Sequence, residues 1–266
     1  MDYQDIKIIR HNNGVAEIVL AKPQVHNAFN ANTIAELNRA LGQLSGDDSR
    51  ALILSAEGKC FSAGADLNWM REQAKMSEAE NLADSRELAA LMANLDQFPK
   101  PSMALIQGPS FGGALGLAAC CDIAIAHPSA KFCLSEVKLG IIPAVISPYV
   151  VRAMGMRQAR RYMLTAEVFN AETAKDLGVV HEVADDLRAA AEPIVQAWLA
   201  NGPQAMKTTK ALLREVAASP INAELIEHTA ETIAKARVSA EGQLGLNAFF
   251  ERQAPQWSAL NNSQES

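Results

Sequence analysis

The 266-residue chain is sparing with cysteine (four), with aromatic residues (5%) and with positive charge. Cys60, Cys120, Cys121 and Cys133 contain no Cys-x-x-Cys pair and do not alternate with histidine, which excludes a zinc-ribbon pattern and a disulfide framework. Their apolar flanks suit buried, reduced thiols in a cytoplasmic protein. The histidines, His11, His26, His127, His181 and His228, show no ligand spacing, so no metal is expected. Lys and Arg total 24 against 30 Asp and Glu, a net charge of −6, the reverse of what phosphate neutralisation requires; nucleic acid is excluded as a principal partner. Asp122, Lys131 and Glu136 interrupt the most hydrophobic region before it reaches the ~20 residues of a membrane span. The polar, acidic start lacks the basic and apolar parts of a secretory signal. No membrane partner is expected.

What the chain does have is a hydrophobic fraction of 49% against 20% charged residues, enough for a sizeable core. Ile6–Ile9 and Val15–Leu20 are β-rich runs joined by His11-Asn12-Asn13-Gly14, a hairpin composition. Thr33 with Glu36 has capping-box spacing, and Ile34, Leu37, Leu41 and Leu44 share one helical face. Ala51–Ser55 reads as a strand. Ser77 with Glu80 opens a long helix towards Asp96, and strands are expected at Ser102–Ile106 and Ile123–Ala126 around a loop at 108–113 and a short helix at 113–120. The alternation predicts an α/β fold with mostly parallel pairing over residues 1–190; from there to 266 the Ala, Glu, Lys and Leu-rich composition predicts helices alone.

Three segments carry candidate chemistry. Phe61-Ser62-Ala63-Gly64-Ala65-Asp66-Leu67 and Gly108-Pro109-Ser110-Phe111-Gly112-Gly113-Ala114-Leu115-Gly116 both lie between a strand and a helix. Small residues there let unpaired backbone N–H groups approach a developing negative charge, one donor from each turn, although a tight structural turn uses the same residue types. Glu136 stands among apolar residues, where its charged form is disfavoured and its pKa rises towards the range useful for proton transfer; an exposed Glu in a loop, or one paired with Lys138, is the plainer reading. Gly108-Pro109-Ser110-Phe111-Gly112 also satisfies G-x-S-x-G, a serine-nucleophile pattern that Asp122, Asp176 or Asp186 with His181 or His228 would complete.

The order Phe61 to Leu67, Gly112-Gly113-Ala114-Leu115 leading into Cys121-Asp122-Ile123, then Ser135-Glu136-Val137-Lys138-Leu139-Gly140-Ile141 and Pro143, resembles the crotonase (enoyl-CoA hydratase/isomerase) family. Lys22-Pro23-Gln24-Val25-His26-Asn27-Ala28 and Asn247-Ala248-Phe249-Phe250-Glu251-Arg252 resemble its early substrate-contact segment and its last helix. The resemblance implies a spiral of ββα units, then a helical oligomerisation region, in a homotrimer or homohexamer acting on acyl-CoA thioesters. It implies no cofactor, since coenzyme A is part of the substrate. Ala65 and Gly113 would be the oxyanion donors and Glu136 the proton-transfer group. Val25, Ala28, Ala63, Asp66 and Leu67 would line the CoA and acyl channel. Phe249 and Arg252 would reach the CoA of a neighbouring subunit, with Lys59 and Arg252 as cations against its phosphates.

Two departures bear on the reaction. The best-known hydratases of the family carry a second glutamate where this chain has Gly116, and Pro143-Ala144-Val145-Ile146-Ser147-Pro148 replaces a glycine-rich continuation. Hydratases of branched glutaconyl-CoA thioesters, in leucine or acyclic terpene breakdown, resemble the chain in both Gly116 and the stretch Leu134 to Ala144, and so predict a hydro-lyase. Some Δ3,Δ2-enoyl-CoA isomerases also keep one carboxylate. A serine hydrolase acting through Ser110 and an inert acyl-CoA-binding scaffold are the readings from other classes.

Overall fold

The computed structural model describes residues 3–257. By its contacts the chain divides into two compact units, one made of the residues up to Phe98 with Ser102–Ile194, the other of Pro99–Pro101 with the residues from Val195. The expected regions 1–190 and 191–266 extend at both chain ends beyond the described residues.

In the first unit, β1 (Ile6–Arg10) and β2 (Val15–Leu20) pair antiparallel across a turn in which Gly14 takes φ +87°. All six residues of β2 are buried, so this strand is covered on both faces, as parallel sheets require. β3 (Ala51–Ala56), β4 (Ser102–Ile106), β6 (Ile123–Ala126) and β9 (Glu182–Val183) extend the sheet in the order β1-β2-β3-β4-β6-β9, every later pairing parallel. A second sheet joins β5 (Ser110–Phe111), β7 (Lys131–Cys133) and β8 (Phe169–Asn170). The expected loop at 108–113 thus contains a strand. Two residues carry no period of their own, and β5 exists through its pairing with Phe132 and Cys133.

The helices of this unit are α1 (Ala31–Ser45), α2 (Leu67–Gln73), α3 (Glu78–Asp96), α4 (Gly113–Cys120), α5 (Ser147–Thr165), α6 (Ala171–Asp176) and the start of α7 (Leu187–Ala200). Ser77 and Glu80 form the expected capping box of α3. Thr33 and Glu36 do not form one: Asn30 caps α1 by accepting from the Thr33 N–H. The Thr33 hydroxyl donates to Asp5, and the Glu36 carboxylate accepts the N–H groups of Gln4 and Asp5, both at 2.8 Å. Both side chains are buried, and these remote partners satisfy them where the helix terminus would have left them facing inward. Leu52, Leu54, Ala104 and Ile106 meet Phe29, Phe61, Phe132 and Leu115 in the core, and the small residues Ala114, Gly116 and Ala118 let α4 lie close to its neighbours.

The second unit contains α8 (Pro203–Ala218), α9 (Ala223–Val238) and α10 (Ala240–Phe250). The buried Glu241 caps α8 from α10 by accepting the N–H groups of Gln204 and Ala205 at 2.9 and 2.7 Å. No described residue of α8 is buried, and Ile221, Val238, Phe249 and Phe250 are exposed. Among the described residues no helix is long and apolar enough to cross a membrane.

Candidate active site

The site is built on loops that leave the parallel strands. After β2, Lys22 is buried and donates to Asp5 and Thr33, both at 2.9 Å, and Pro23–Val25 makes one 3₁₀ turn. His26 and Asn27 follow with φ of +55° and +53°. Asn tolerates this left-handed conformation better than most residues, and here the buried Asn27 ties two loops together: it accepts from the Lys22 N–H and donates to the carbonyls of Glu57 and Cys60 at 2.8 and 2.9 Å. The Gln107 amide grips the same loop through the carbonyls of Ala56 and Cys60. Gly108 must be glycine, because a β-carbon would stand 2.0 Å from the Lys59 carbonyl.

These ties set the direction of the Ala65 amide. Phe29 forms an isolated parallel bridge with Ala65: its N–H donates to Gly64 O and its carbonyl accepts from Asp66 N–H, both at 2.7 Å. In that geometry the polar groups of Ala65 itself point away from Phe29, leaving its N–H free for something else. Gly64 has φ +89°, and a β-carbon there would meet the Phe111 carbonyl at 2.9 Å, so the loop passes directly over the second turn. In that turn Gly112 (φ +53°, ψ −123°) precedes α4 without any side-chain cap, and Gly113, at the first position of the helix, presents an N–H that has no intrahelical acceptor. A β-carbon on Gly113 would touch the Phe29 ring at 3.5 Å. Phe29 is the common wall of both donors, a role the sequence reading missed.

Glu136 completes the group. It opens a 3₁₀ turn, Glu136–Leu139, that follows β7 and ends at Gly140 in the left-handed region (φ +74°). Because β5 and β7 are paired, with Gly112 N–H donating to Cys133 O at 2.9 Å, the turn lies beside Gly112; a β-carbon there would stand 3.0 Å from Glu136 Oε1. Oε2 is buried and has no hydrogen-bond partner. Burial pushes the carboxyl pKa above the usual range, only partly offset by the residue's own backbone N–H. The plainer alternative, an exposed Glu136 paired with Lys138, is not what is seen. An ionisable group with a spare buried oxygen, set against a turn that presents an unpaired N–H donor, has the chemistry to move a proton next to a carbonyl whose charge such a donor stabilises.

The other expected residues fall as follows. Val25 and Ala63 are exposed and Ala28 is buried, on the two loops just described, and Leu67 is exposed at the first position of α2. The Asp66 carboxylate caps α2 by accepting the N–H groups of Asn68 and Trp69, which commits it locally. Lys59 is exposed on the loop after β3. Phe249 and Arg252 are exposed on the second unit. Gly116 is buried, and a β-carbon there would be 2.3 Å from Ile146 Cγ2 and 3.2 Å from Met92 Sδ. The two departures noted in the sequence are therefore one packing fact: Ile146 occupies the room a side chain at 116 would need.

The serine-hydrolase pattern is overturned. Ser110 is 0% exposed and its hydroxyl has no partner. Asp122 is bonded to Ser102, Asp186 to the N–H groups of Arg188 and Ala189, His181 to Ala124 N–H, and His228 to Glu215. A nucleophile needs both access and a base, and Ser110, buried and with its hydroxyl unpartnered, has neither. A separate cavity of about 480 Å³, lined by Glu17, Ser55, Gln107 and Arg188 among others, contains none of Ala65, Gly113 and Glu136.

Two strand-to-helix turns that leave backbone N–H groups unpaired, with a half-buried carboxyl against the second of them, form the candidate active site. The chain belongs to the enoyl-CoA hydratase/isomerase family, whose profile matches residues 10–260. It is similar to an enoyl-CoA hydratase of known structure from Shewanella pealeana, at 54% identity and a TM-score of 0.94 over 96% of both chains. It is also similar to Pseudomonas aeruginosa AtuE, at 34% identity and a TM-score of 0.91 over 96% of this chain and 99% of that one. Enoyl-CoA hydratase ACTT6 of Alternaria alternata is 36% identical over 208 residues, 76% of this chain and 67% of its own. The fold is accordingly the crotonase ββα spiral.

Proposed function

We propose that the protein is a hydro-lyase that adds water across the α,β double bond of a CoA thioester, with Glu136 as its one proton-transfer group. The carrying observation is the half-buried Glu136 carboxyl, one oxygen unpartnered, against Gly112 and next to the unpaired N–H of Gly113. In the forward step the Glu136 carboxylate takes a proton from water as the water oxygen bonds to the β-carbon. The π electrons move onto the thioester oxygen, where the N–H groups of Ala65 and Gly113 receive the charge. The enolate then collapses as the α-carbon takes the proton back from Glu136. Water is consumed whole and the carboxylate is regenerated. Removing one such donor elsewhere costs about 3 to 4 kcal/mol of transition-state stabilisation.

A branched glutaconyl-CoA, in leucine or acyclic terpene breakdown, is the substrate we favour. It is supported by Gly116 and by the Leu134 to Ala144 stretch shared with hydratases of that kind. Val25, Ala28, Ala63 and Leu67 would line the CoA and acyl channel. Phe249 and Arg252 would serve the site of a neighbouring subunit in a homotrimer or homohexamer assembled through residues 191–266; the exposed Ile221, Val238, Phe249 and Phe250 support that reading, which native mass in solution tests. The buried free thiols suit a reducing cytoplasm, and the proton chemistry needs no cofactor beyond the CoA of the substrate.

The single carboxylate also suits a Δ3,Δ2-enoyl-CoA isomerase, in which Glu136 removes a proton from one carbon and returns it to another. Turnover of crotonyl-CoA, 3-methylglutaconyl-CoA and a 3-enoyl-CoA, with product masses, separates the readings. Gain of one water on the glutaconyl thioester is the expected result. Double-bond migration without a mass change makes the protein an isomerase, and CoA-thioester binding without turnover makes it a scaffold.

A further inference from the structure

Ile146 is 3% exposed, although much of the connection leading to it is open to solvent: Leu139, Ile141 and Ile142 are 60%, 51% and 72% exposed. It is the buried end of that connection. Its side chain is seated on the bare α-carbon of Gly116, flanked by Met92 Sδ. Gly116 lies one helical turn beyond Gly112 and Gly113, on the face of α4 that begins with the free N–H of Gly113. Ile146 also starts α5, its carbonyl accepting from Val150 N–H at 3.1 Å, and α5 packs against both α4 and the Glu136 turn. Upstream, the Ile141 N–H donates to the Glu136 carbonyl at 3.2 Å. The exposed connection is thus held at one end by Glu136's own backbone and at the other by Ile146 on Gly116.

We propose that Ile146 is a positioning residue for Glu136: by filling the bare face of Gly116 it clamps the connection onto α4 and keeps the carboxyl against Gly112, out of bulk solvent. The inference rests on the reading of Glu136 as the proton-transfer group. The other ionisable groups on the packed elements are these. Lys138, on the same turn, is exposed; Cys133 on β7 is a buried thiol whose ionisation burial suppresses; and on α5 Tyr149 and Arg152 interact with each other and with Asp96. Gly112 precedes α4, and the helix positions that follow it on this face are Gly113 and Gly116, without side chains, and then Cys120, a buried thiol directed at Met92 Sδ that interacts with Tyr149 and Arg152.

The test follows Glu136 itself: carbon-NMR titration of its carboxyl, and the pH profile of kcat on the thioester that the panel identifies, in the full chain and in Ile146→Ala, Ile146→Val and Glu136→Gln. Ile146→Ala is expected to lower kcat about 10²-fold with KM little changed, as misplacement of a catalytic group does. It should also move the Glu136 titration and the acid limb to lower pH as bulk solvent reaches the carboxyl, with Ile146→Val restoring most of both. A normal kcat and titration in Ile146→Ala, or a lower kcat with the titration unmoved, overturns the proposal. If Ile146→Ala does not fold, Gly116→Ala displaces the intact Ile146 from its seat and must produce the same titration shift; failure to do so is equally decisive. Wild-type turnover in Glu136→Gln would instead overturn the reading of Glu136, whatever Ile146 does.

Discussion

The carboxyl of Glu136 stands where Gly112 would carry its side chain: a β-carbon on Gly112 meets Oε1 at 3.0 Å. The glycine serves twice, since its backbone (φ +53°, ψ −123°) also suits no residue with a β-carbon. Gly112→Ala is expected to add about 1–3 kcal/mol of backbone strain and to push Glu136 away, lowering kcat by two orders of magnitude or more. Comparison of thermal melts with kcat separates strain from displacement.

Glu136→Gln keeps the shape of the side chain and removes its proton chemistry. Turnover is expected to fall about 10²- to 10⁴-fold with folding intact. Burial raises the Glu136 pKa, so the basic, ionised form predominates only above that raised value. Activity should therefore be lost as pH falls through a point above the ordinary carboxylate range, and this limb should vanish from the residual rate of the variant.

Gly116→Glu does not create a working second carboxylate. Ile146 Cγ2 lies 2.3 Å from where the new β-carbon would be, and Ile146 Cβ 2.9 Å. Overpacking of this kind costs about 1–3 kcal/mol, and hydration of crotonyl-CoA should not improve. Pairing the change with Ile146→Gly, which removes both clashing atoms, should recover thermal stability that Gly116→Glu alone loses.

Ser110→Ala should leave turnover unchanged and stability unchanged or slightly higher, because the buried hydroxyl it removes has no partner to lose. A serine-reactive phosphonate should not label the protein. Labelling at Ser110 would contradict the buried position.

A buried carboxylate outside the site is expected to contribute to acid stability. Burial alone would raise the Glu17 pKa, but hydrogen bonds from Arg188, Ser55 and His11, with the Arg188 charge, outweigh it and hold it below the usual value. A depressed folded-state pKa gives stability that is complete above the unfolded value, about 4.3, and is lost as pH falls through the lower folded one. Arg188→Ala, with Arg188 itself half-exposed, should cost about 1–3 kcal/mol at neutral pH and flatten the melting temperature between pH 5 and 3.

Features determined by local spacing were legible in the sequence. The Ser77–Glu80 box, the hairpin turn at Gly14 and the strand and helix patterns whose alternation implied a parallel sheet each depend on groups close together in the chain. Thr33 and Glu36 had the same spacing as Ser77 and Glu80 and made other bonds, because they face inward and meet Asp5 and Gln4, some 30 residues away in the chain. Site residues showed the same division. The small residues around Ala65 and Gly113 marked places where backbone could approach a ligand, and His26-Asn27 after Pro23 was the available signal of the left-handed turn that ties the loops together.

By itself the sequence determined the family, the residue types of the site and the presence of one candidate carboxylate. Tertiary structure decided that Glu136 lies against Gly112 with an unpartnered buried oxygen, that Ser110 is sealed, and that Gly116 and Ile146 are two halves of one contact. The physical reason is that a pKa and a steric exclusion are properties of what surrounds a group. Residues 20 to 30 positions apart in the chain become surroundings only when the sheets pair.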